Sequence, residues 1–276
     1  MDLKFTKMHG LGNDFIVIDA ISQHIRLNRA DIKRLSHRHT GIGFDQCLVV
    51  EPSTQANVDF NYRIFNADGS EVGQCGNGAR CLARFIADKK LSDKKTFTVL
   101  TQKRQMSLRL LQAPRVSVDM GKPLFSPQHI PMRTGQVSSE YSLDMDQQHY
   151  RFHAVNMGNP HAILVVSDIQ SAKVEDIGKL LSQDPFFPEG ANINFMQIHD
   201  KDTISLRVYE RGVGETLACG SGACASAVAA IRYHRTANKL TVSLPGGRCE
   251  INWAGEGAGV ELIGPAETVF EGVVSL

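Results

Sequence analysis

Cys219-Gly220-Ser221-Gly222-Ala223-Cys224-Ala225-Ser226-Ala227-Val228-Ala229-Ala230-Ile231 is small or apolar on every side. A helix of that kind is buried, and one of about 12 residues is too short to cross a bilayer, which needs roughly 20. The stretch predicts a core helix over Gly222–His234, wrapped by sheet, with side chains small enough to let strands approach closely. Its opening occurs twice. Cys75-Gly76-Asn77-Gly78-Ala79 stands 144 positions earlier, ahead of a second helical stretch over Gly78–Lys89. The same offset pairs Glu71 with Glu215, Ala83 with Ala227, and Arg63-Ile64-Phe65-Asn66 with Arg207-Val208-Tyr209-Glu210. With small shifts, Gly12-Asn13 matches Gly158-Asn159 and Gly43-Phe44-Asp45 matches Gly190-Ala191-Asn192. Segments recurring in one order at so long a period mark a duplicated domain rather than a solenoid.

Outward from the two helices, most of the chain reads as short β-branched or aromatic runs broken by turn residues. Strands are expected at Phe15–Asp19, Cys47–Glu51, Asp59–Asn66, Thr96–Thr101, Ser107–Leu111 and Arg115–Met120 in the first half. The second half offers Arg151–Met157, Ala162–Ser167, Asn194–Ile198, Ser205–Glu210, Leu240–Leu244, Arg248–Trp253 and Val260–Ile263. Several alternate apolar and polar residues, as half-buried antiparallel strands do. Leu244-Pro245-Gly246-Gly247-Arg248 is a hairpin turn. Ala30–His39 and Lys173–Gln183 read as amphipathic surface helices, and Met1–Lys7 as the start of a strand. The expected division is residues 1–119, joined by a C-terminal strand at 265–276, and residues 120–264, with the junction at Met120-Gly121-Lys122-Pro123.

Strand, loop, Cys-Gly-x-Gly-Ala and helix, in that order, form an anion site. The glycines allow close backbone approach, and the helix start offers unpaired N–H groups and a positive dipole end. A cysteine there is expected to have a depressed pKa, somewhere between roughly 3.5 and 7.5. Two matched thiols suit inversion of an α-carbon, in which a proton leaves one face and another arrives on the opposite face. The helix ends stabilise the carboxylate as charge grows on it. A thiol-based redox sensor would use the same pair, and proton exchange at the α-carbon in deuterated water separates the two readings. Zinc is disfavoured. Cys75 with Cys81 and Cys219 with Cys224 are six and five positions apart, not the usual Cys-x-x-Cys. Cys47, Cys81, Cys224 and Cys249 read as core residues. Gly10-Leu11-Gly12-Asn13 lacks the third glycine of a dinucleotide fingerprint and precedes a strand.

The 276 residues carry 30 basic and 29 acidic groups, a net charge of +1. That balance supplies no basic field for nucleic acid or an anionic membrane. No apolar run reaches bilayer length, and the N-terminus shows no signal-peptide core. Six cysteines are too few for a disulfide scaffold, so reduced thiols and a cytoplasmic location are expected. Neither a metal nor a cofactor is called for; in particular there is no convincing site for pyridoxal phosphate.

The chain resembles the diaminopimelate epimerase family over essentially its whole length. The resemblance rests on Met8-His9-Gly10-Leu11-Gly12-Asn13-Asp14-Phe15, Phe65-Asn66-Ala67-Asp68-Gly69-Ser70, Gln74-Cys75-Gly76-Asn77-Gly78-Ala79-Arg80-Cys81, Asn156-Met157-Gly158-Asn159-Pro160-His161, Gly190-Ala191-Asn192-Ile193-Asn194-Phe195, and Tyr209-Glu210-Arg211-Gly212-Val213-Gly214-Glu215-Thr216 with the segment from Cys219. It implies an α+β fold of two pseudo-symmetric domains, each a curved, mostly antiparallel, barrel-like sheet around a central buried helix, with the active site in the interdomain cleft. It also implies pyridoxal-independent interconversion of LL- and meso-diaminopimelate on the bacterial route to lysine and peptidoglycan, and a homodimer. On that resemblance Cys75 and Cys219 are the acid/base pair. The backbone around Gly76-Asn77 and Gly220-Ser221 holds the reacting carboxylate. Asn13, Gln46, Asn66, Asn159, Asn192, Glu210 and Arg211 bind substrate. The residues agree with this independently: Asn66-Ala67 in the first repeat becomes Glu210-Arg211 in the second, adding a carboxylate and a guanidinium suited to a zwitterionic far end. His161 reads equally well as an orienting residue or as part of the site lining. Related racemases acting on proline or hydroxyproline typically carry Cys-Gly-His where this chain has Cys75-Gly76-Asn77, and phenazine-type isomerases lack the cysteine pair.

Overall fold

The computed structural model describes residues 2–145 and 147–276; Met1, assigned above to the first strand, lies outside the described residues. The chain divides into two compact units, Met1–Asp119 with Ile263–Leu276, and Met120–Leu262.

The first unit contains β1 (Asp2–Gly10), β2 (Asn13–Asp19), α1 (Arg29–Ser36), β3 (Gln46–Pro52), β4 (Phe60–Asn66), β5 (Glu71–Val72), α2 (Gly76–Asp88), β6 (Thr96–Leu100), β7 (Gln105–Leu110) and β8 (Arg115–Asp119). β1 and β2 form an antiparallel hairpin, closed by Leu11 and Gly12, both at positive φ (58° and 83°). Two consecutive left-handed residues make the type I′ turn that matches strand twist, so the glycine-rich segment at 10–13 is a hairpin. The ladder continues β2–β3 parallel, β3–β4 antiparallel, β4–β6 parallel, then β6–β7 and β7–β8 antiparallel. Each parallel step needs a crossover: α1 makes the first and α2 the second. α2 touches β1 and β2 as well as β7 and β8. A straight helix meets both ends of one ladder only if the sheet curls around it.

Because both sheet faces are covered, β2 and β3 read as continuous apolar runs. Ile16 and Ile18 pack with Ile32 and Leu35 of α1, while Phe15 and Val17 of the same strand are fully buried on the opposite face.

The second unit repeats the plan with β9 (Tyr141–Met145), β10 (Gln148–Asn156), β11 (Pro160–Val165), α3 (Val174–Ser182), β12 (Asn192–Ile198), β13 (Thr203–Glu210), β14 (Gly214–Thr216), α4 (Gly220–His234), β15 (Lys239–Leu244), β16 (Gly247–Trp253) and β17 (Val260–Pro265), whose last residues pass into the first unit. β10–β11 is antiparallel, β11–β12 parallel, β12–β13 antiparallel, β13–β15 parallel and β15–β16 antiparallel, the same alternation as in the first unit. The residues Ala223–Ala230 of α4 are all buried, and strands β10, β11, β12, β13, β15 and β16 surround the helix. β18 (Glu267–Ser275) belongs to the first unit and pairs antiparallel with β1. No helix among the described residues is long and apolar enough to cross a membrane.

Two details differ from expectation. The buried helices begin at Gly76 and Gly220, two residues before the predicted starts. Each is capped by the cysteine itself, which lets Gly-Asn and Gly-Ser enter the first turn. The outer helices are shorter than predicted, because α1 ends at Ser36 with an extended cap at His37.

Candidate active site

Strand direction brings the first unit's site residues to one end of its sheet. Asn13 opens β2, Gln46 opens the parallel β3, and Asn66 closes the antiparallel β4 directly opposite Gln46. Gln46 Nε2 donates to Asn66 Oδ1 at 2.9 Å, and Asn66 Nδ2 to Ser70 Oγ at 3.2 Å. Short β5 then carries the chain to Cys75, the N-cap of α2.

The half-buried Cys75 sulfur accepts the Gly78 backbone N–H at 3.2 Å and lies 4.0 Å from Asn13 Oδ1. Asn77 Nδ2 donates to the same oxygen at 3.2 Å. Asn13, Cys75 and Asn77 thus converge, and Gly76 and Asn77 supply the first-turn backbone.

The sequence reading missed what holds this cluster. Arg80 is fully buried. Its Nη2 donates to Asn77 Oδ1 at 2.9 Å and its Nε to the Pro265 carbonyl at 3.1 Å. A Cβ on Gly10 or Gly264 would come within 3.1 Å of this guanidinium, so the two glycines make room for it. Arginine has donors only. Asn77 must therefore present its oxygen to Arg80 and its NH2 to Asn13, and Asn13 turns its own NH2 to Asp45 Oδ2 at 2.8 Å. A cation at one end and a carboxylate at the other fix the polarity of both amides. The available signal was one arginine inside a run of small residues, where the other repeat has Cys224.

Behind Asn13, the Asp14 carboxylate meets Lys7 Nζ at 2.5 Å and Arg38 at 2.7 and 2.9 Å. Burial pushes its pKa up, but the hydrogen bonds and charges of Arg38 and Lys7 outweigh burial and bring it down to about 2.

The second unit places its residues likewise. Asn159 precedes β11, Asn192 opens the parallel β12, and Glu210 closes β13. Asn192 Oδ1 accepts the Arg211 backbone N–H at 2.8 Å. Cys219 caps α4, its sulfur 3.4 Å from the Gly222 N–H and 3.6 Å from Ser221 Oγ, with Gly220 opening the helix. Glu210 Oε1 accepts from Thr216 Oγ1 at 2.6 Å. The Arg211 guanidinium turns to the Glu189 and Gly190 carbonyls.

The expected depressed thiol pKa does not hold at Cys219. Burial first, then the Glu210 carboxylate, push this thiol well above its ordinary value, against the opposing contacts from Ser221 and Gly222. The helix end is outweighed because the sulfur has little access to water and a negative charge beside it.

His161 is fully buried, and burial, with the Arg211 charge assisting against an Asn194 contact, lowers its pKa to about 4. The ring is neutral and carries one N–H. Asn194 has its NH2 committed to Gly222 O and Ser226 Oγ, at 3.2 and 3.1 Å, so its oxygen faces His161 Nδ1 at 3.2 Å. The proton therefore sits on Nδ1. Nε2 lies 3.2 Å from Asn159 Oδ1; because Nε2 must accept, we assign the Asn159 amide in its flipped orientation, with the NH2 toward the ring. His161 is an orienting residue for Asn159.

This architecture is shared with a hydroxyproline epimerase from Agrobacterium vitis, solved with bound trans-4-hydroxy-L-proline. The TM-score is 0.73 at 12% identity, over 100% of this chain and 93% of that one. A sequence model described as Diaminopimelate epimerase matches residues 5–126 and 153–269. Proteins named diaminopimelate epimerase from Ectopseudomonas mendocina and Pseudomonas syringae pv. syringae are 50% and 51% identical over 276 residues, covering 100% of both chains in each case. The chain belongs to the diaminopimelate epimerase family.

Proposed function

We propose that this protein epimerises LL-diaminopimelate to meso-diaminopimelate without metal or pyridoxal cofactor, using Cys75 and Cys219 as its acid/base pair. The observation that carries the reading is the cysteine cap on the buried helix of each repeat, in a chain half identical to relatives of that name. One cysteine, as thiolate, takes the α-proton; the C–H bond breaks, an S–H bond forms, and the electron pair moves into the carboxylate. The other cysteine, as thiol, delivers its proton to the opposite face of the carbon.

The first-turn N–H groups at Gly76-Asn77 and Gly220-Ser221 are suited to hold that carboxylate as its charge grows. Asn13, Gln46, Asn66, Asn159 and Asn192 offer amides to the polar groups of the substrate. Arg211 takes the distal carboxylate and Glu210 an ammonium. The reading includes a place in lysine and peptidoglycan precursor synthesis, a homodimer, and a reducing cytoplasm that keeps the two thiols active.

The test is incubation with LL-diaminopimelate in deuterated water, with reductant and no added cofactor. The expected result is meso product carrying deuterium at the inverted carbon. Cys75→Ala and Cys219→Ala should each lower turnover by several orders of magnitude, as members of a catalytic unit do. Folded protein giving neither product nor exchange refutes the activity, and near-normal turnover in either variant refutes the two-thiol mechanism.

A further inference from the structure

Tyr62, on β4, is 1% exposed, and its hydroxyl has no hydrogen-bond partner among the described residues. A buried hydroxyl without a partner is costly, and phenylalanine would fill the same space without that cost. The hydroxyl is aimed at the first turn of α2. A Cβ on Gly78 would lie 2.5 Å from Tyr62 Oη and 3.3 Å from Cys75 Sγ. Hydroxyl and sulfur thus flank the same glycine, and a side chain there would collide with the oxygen. Burial first, then the charges of Cys75 and Cys81, push the phenol well above its ordinary pKa, so it stays protonated and can donate.

The second repeat differs. The position 144 residues after Tyr62 is Leu206, and the outside group nearest to a Cβ on Gly222 is the Val208 methyl, at 3.2 Å.

We propose that Tyr62 is a positioning residue for Cys75: when Cys75 is a thiolate, the phenol O–H donates a hydrogen bond to its sulfur, a support that Cys219 lacks. This rests on the reading of Cys75 as one of the two acid/base groups. In the proton transfer the α C–H bond breaks and the S–H bond forms at Cys75. Tyr62 keeps its own proton throughout, and its hydrogen bond weakens as the sulfur loses its charge.

Tyr62→Phe removes one oxygen and keeps the ring. The experiment follows Cys75 alkylation by iodoacetamide against pH, using peptide mass spectrometry, beside kcat, KM and the thermal midpoint. The expected result is about tenfold slower alkylation of Cys75 at neutral pH, the size of a modest hydrogen bond to a charged group. The profile should move to higher pH and kcat should fall with little change in KM, while the thermal midpoint is not lowered. Tyr62→Leu, which also loses the ring, should give the same Cys75 profile with a lower midpoint. An unchanged Cys75 profile in Tyr62→Phe overturns the proposal, as does a profile that follows stability across the two variants. Alkylation needs no turnover, so a wild-type protein inactive on diaminopimelate would refute the proposed function and leave the thiol comparison readable.

Discussion

Replacing Arg80 with methionine tests whether a buried cation anchors the first cysteine's surroundings. The guanidinium is fully buried and holds two acceptors, Asn77 Oδ1 at 2.9 Å and the Pro265 carbonyl at 3.1 Å. Neither is a carboxylate, and Nη1 has no partner among the described residues. Methionine has similar reach and no donor, so both acceptors are left unsatisfied at about 1–3 kcal/mol each. Against that, the variant no longer holds a cation out of water without a counter-charge, which returns part of the loss. The balance falls in the lower half of the range, at about 3 kcal/mol. For a chain of this size that lowers the thermal midpoint by roughly 6–12 °C, at about 2–4 °C per kcal/mol. Arg80→Lys keeps the charge but cannot reach two separated acceptors with a planar fork, and should fall between methionine and wild type. Urea unfolding and calorimetry measure both variants. A loss below about 1 kcal/mol, or a gain, would mean that the two bonds do not outweigh desolvation, and the anchoring role would be withdrawn.

Two further outcomes follow from the charged groups. Asp14 is held at about 2 against an ordinary 3.8, so its folded pKa lies below its unfolded one. Its stabilisation is complete above the ordinary value and is lost as pH falls from 3.8 toward 2, by about 2 kcal/mol in all. Urea titrations across that window should show this slope in wild type and lack it in Asp14→Asn; equal slopes would refute the assignment. Arg211→Ala should lower kcat/KM for diaminopimelate by an amount equivalent to about 2–5 kcal/mol, the cost of leaving a bound charge unpaired. An analogue without the distal ammonium and carboxylate should be barely affected, and equal loss on both compounds would end the distal-carboxylate role.

The fold was legible where patterning was local. The all-round small and apolar run from Ala223 identified a buried helix, and α4 is enclosed by strands. Strands buried on both faces, such as β2 and β3, announced themselves as apolar runs. The short strands β5 and β14 were not legible, since two and three residues carry no period. The candidate asparagines came from the family resemblance alone, and the structure stands each where a strand begins or ends beside a loop. Amide orientations were not legible, because amide polarity is set by distant groups: Arg80 and Asp45 for Asn77 and Asn13, Asn194 and His161 for Asn159. The raised Cys219 pKa was hidden for a similar reason. A helix start can be read from Gly-Ser-Gly, but the burial and the Glu210 carboxylate that overcome it are tertiary.

Duplication by itself would give two equal thiols, and the residues that break it lie close to them. Where the first repeat has Tyr62, Asn66 and Arg80, the second has Leu206, Glu210 and Cys224. These three exchanges move charge or proton-donating capacity in the same sense, against the exchange of Asn77 for Ser221, whose hydroxyl lies 3.6 Å from the Cys219 sulfur and lowers its pKa. The first cysteine keeps a buried cation in its helix and a phenol against its first turn. The second gains a carboxylate that raises its pKa and loses both donors. On the two-thiol mechanism proposed above, a pair that exchanges protons through one substrate needs one thiolate and one thiol at the start of each turnover, and two identical environments would not choose between them. On that proposed mechanism, burial and the Glu210 carboxylate favour the thiol form at Cys219. That bias must stay small beside the barrier to chemistry, because the same pair has to run in reverse for the other isomer. On this argument the departures from symmetry are matched to the reaction, and restoring symmetry at position 210 with Asn should ease ionisation of Cys219.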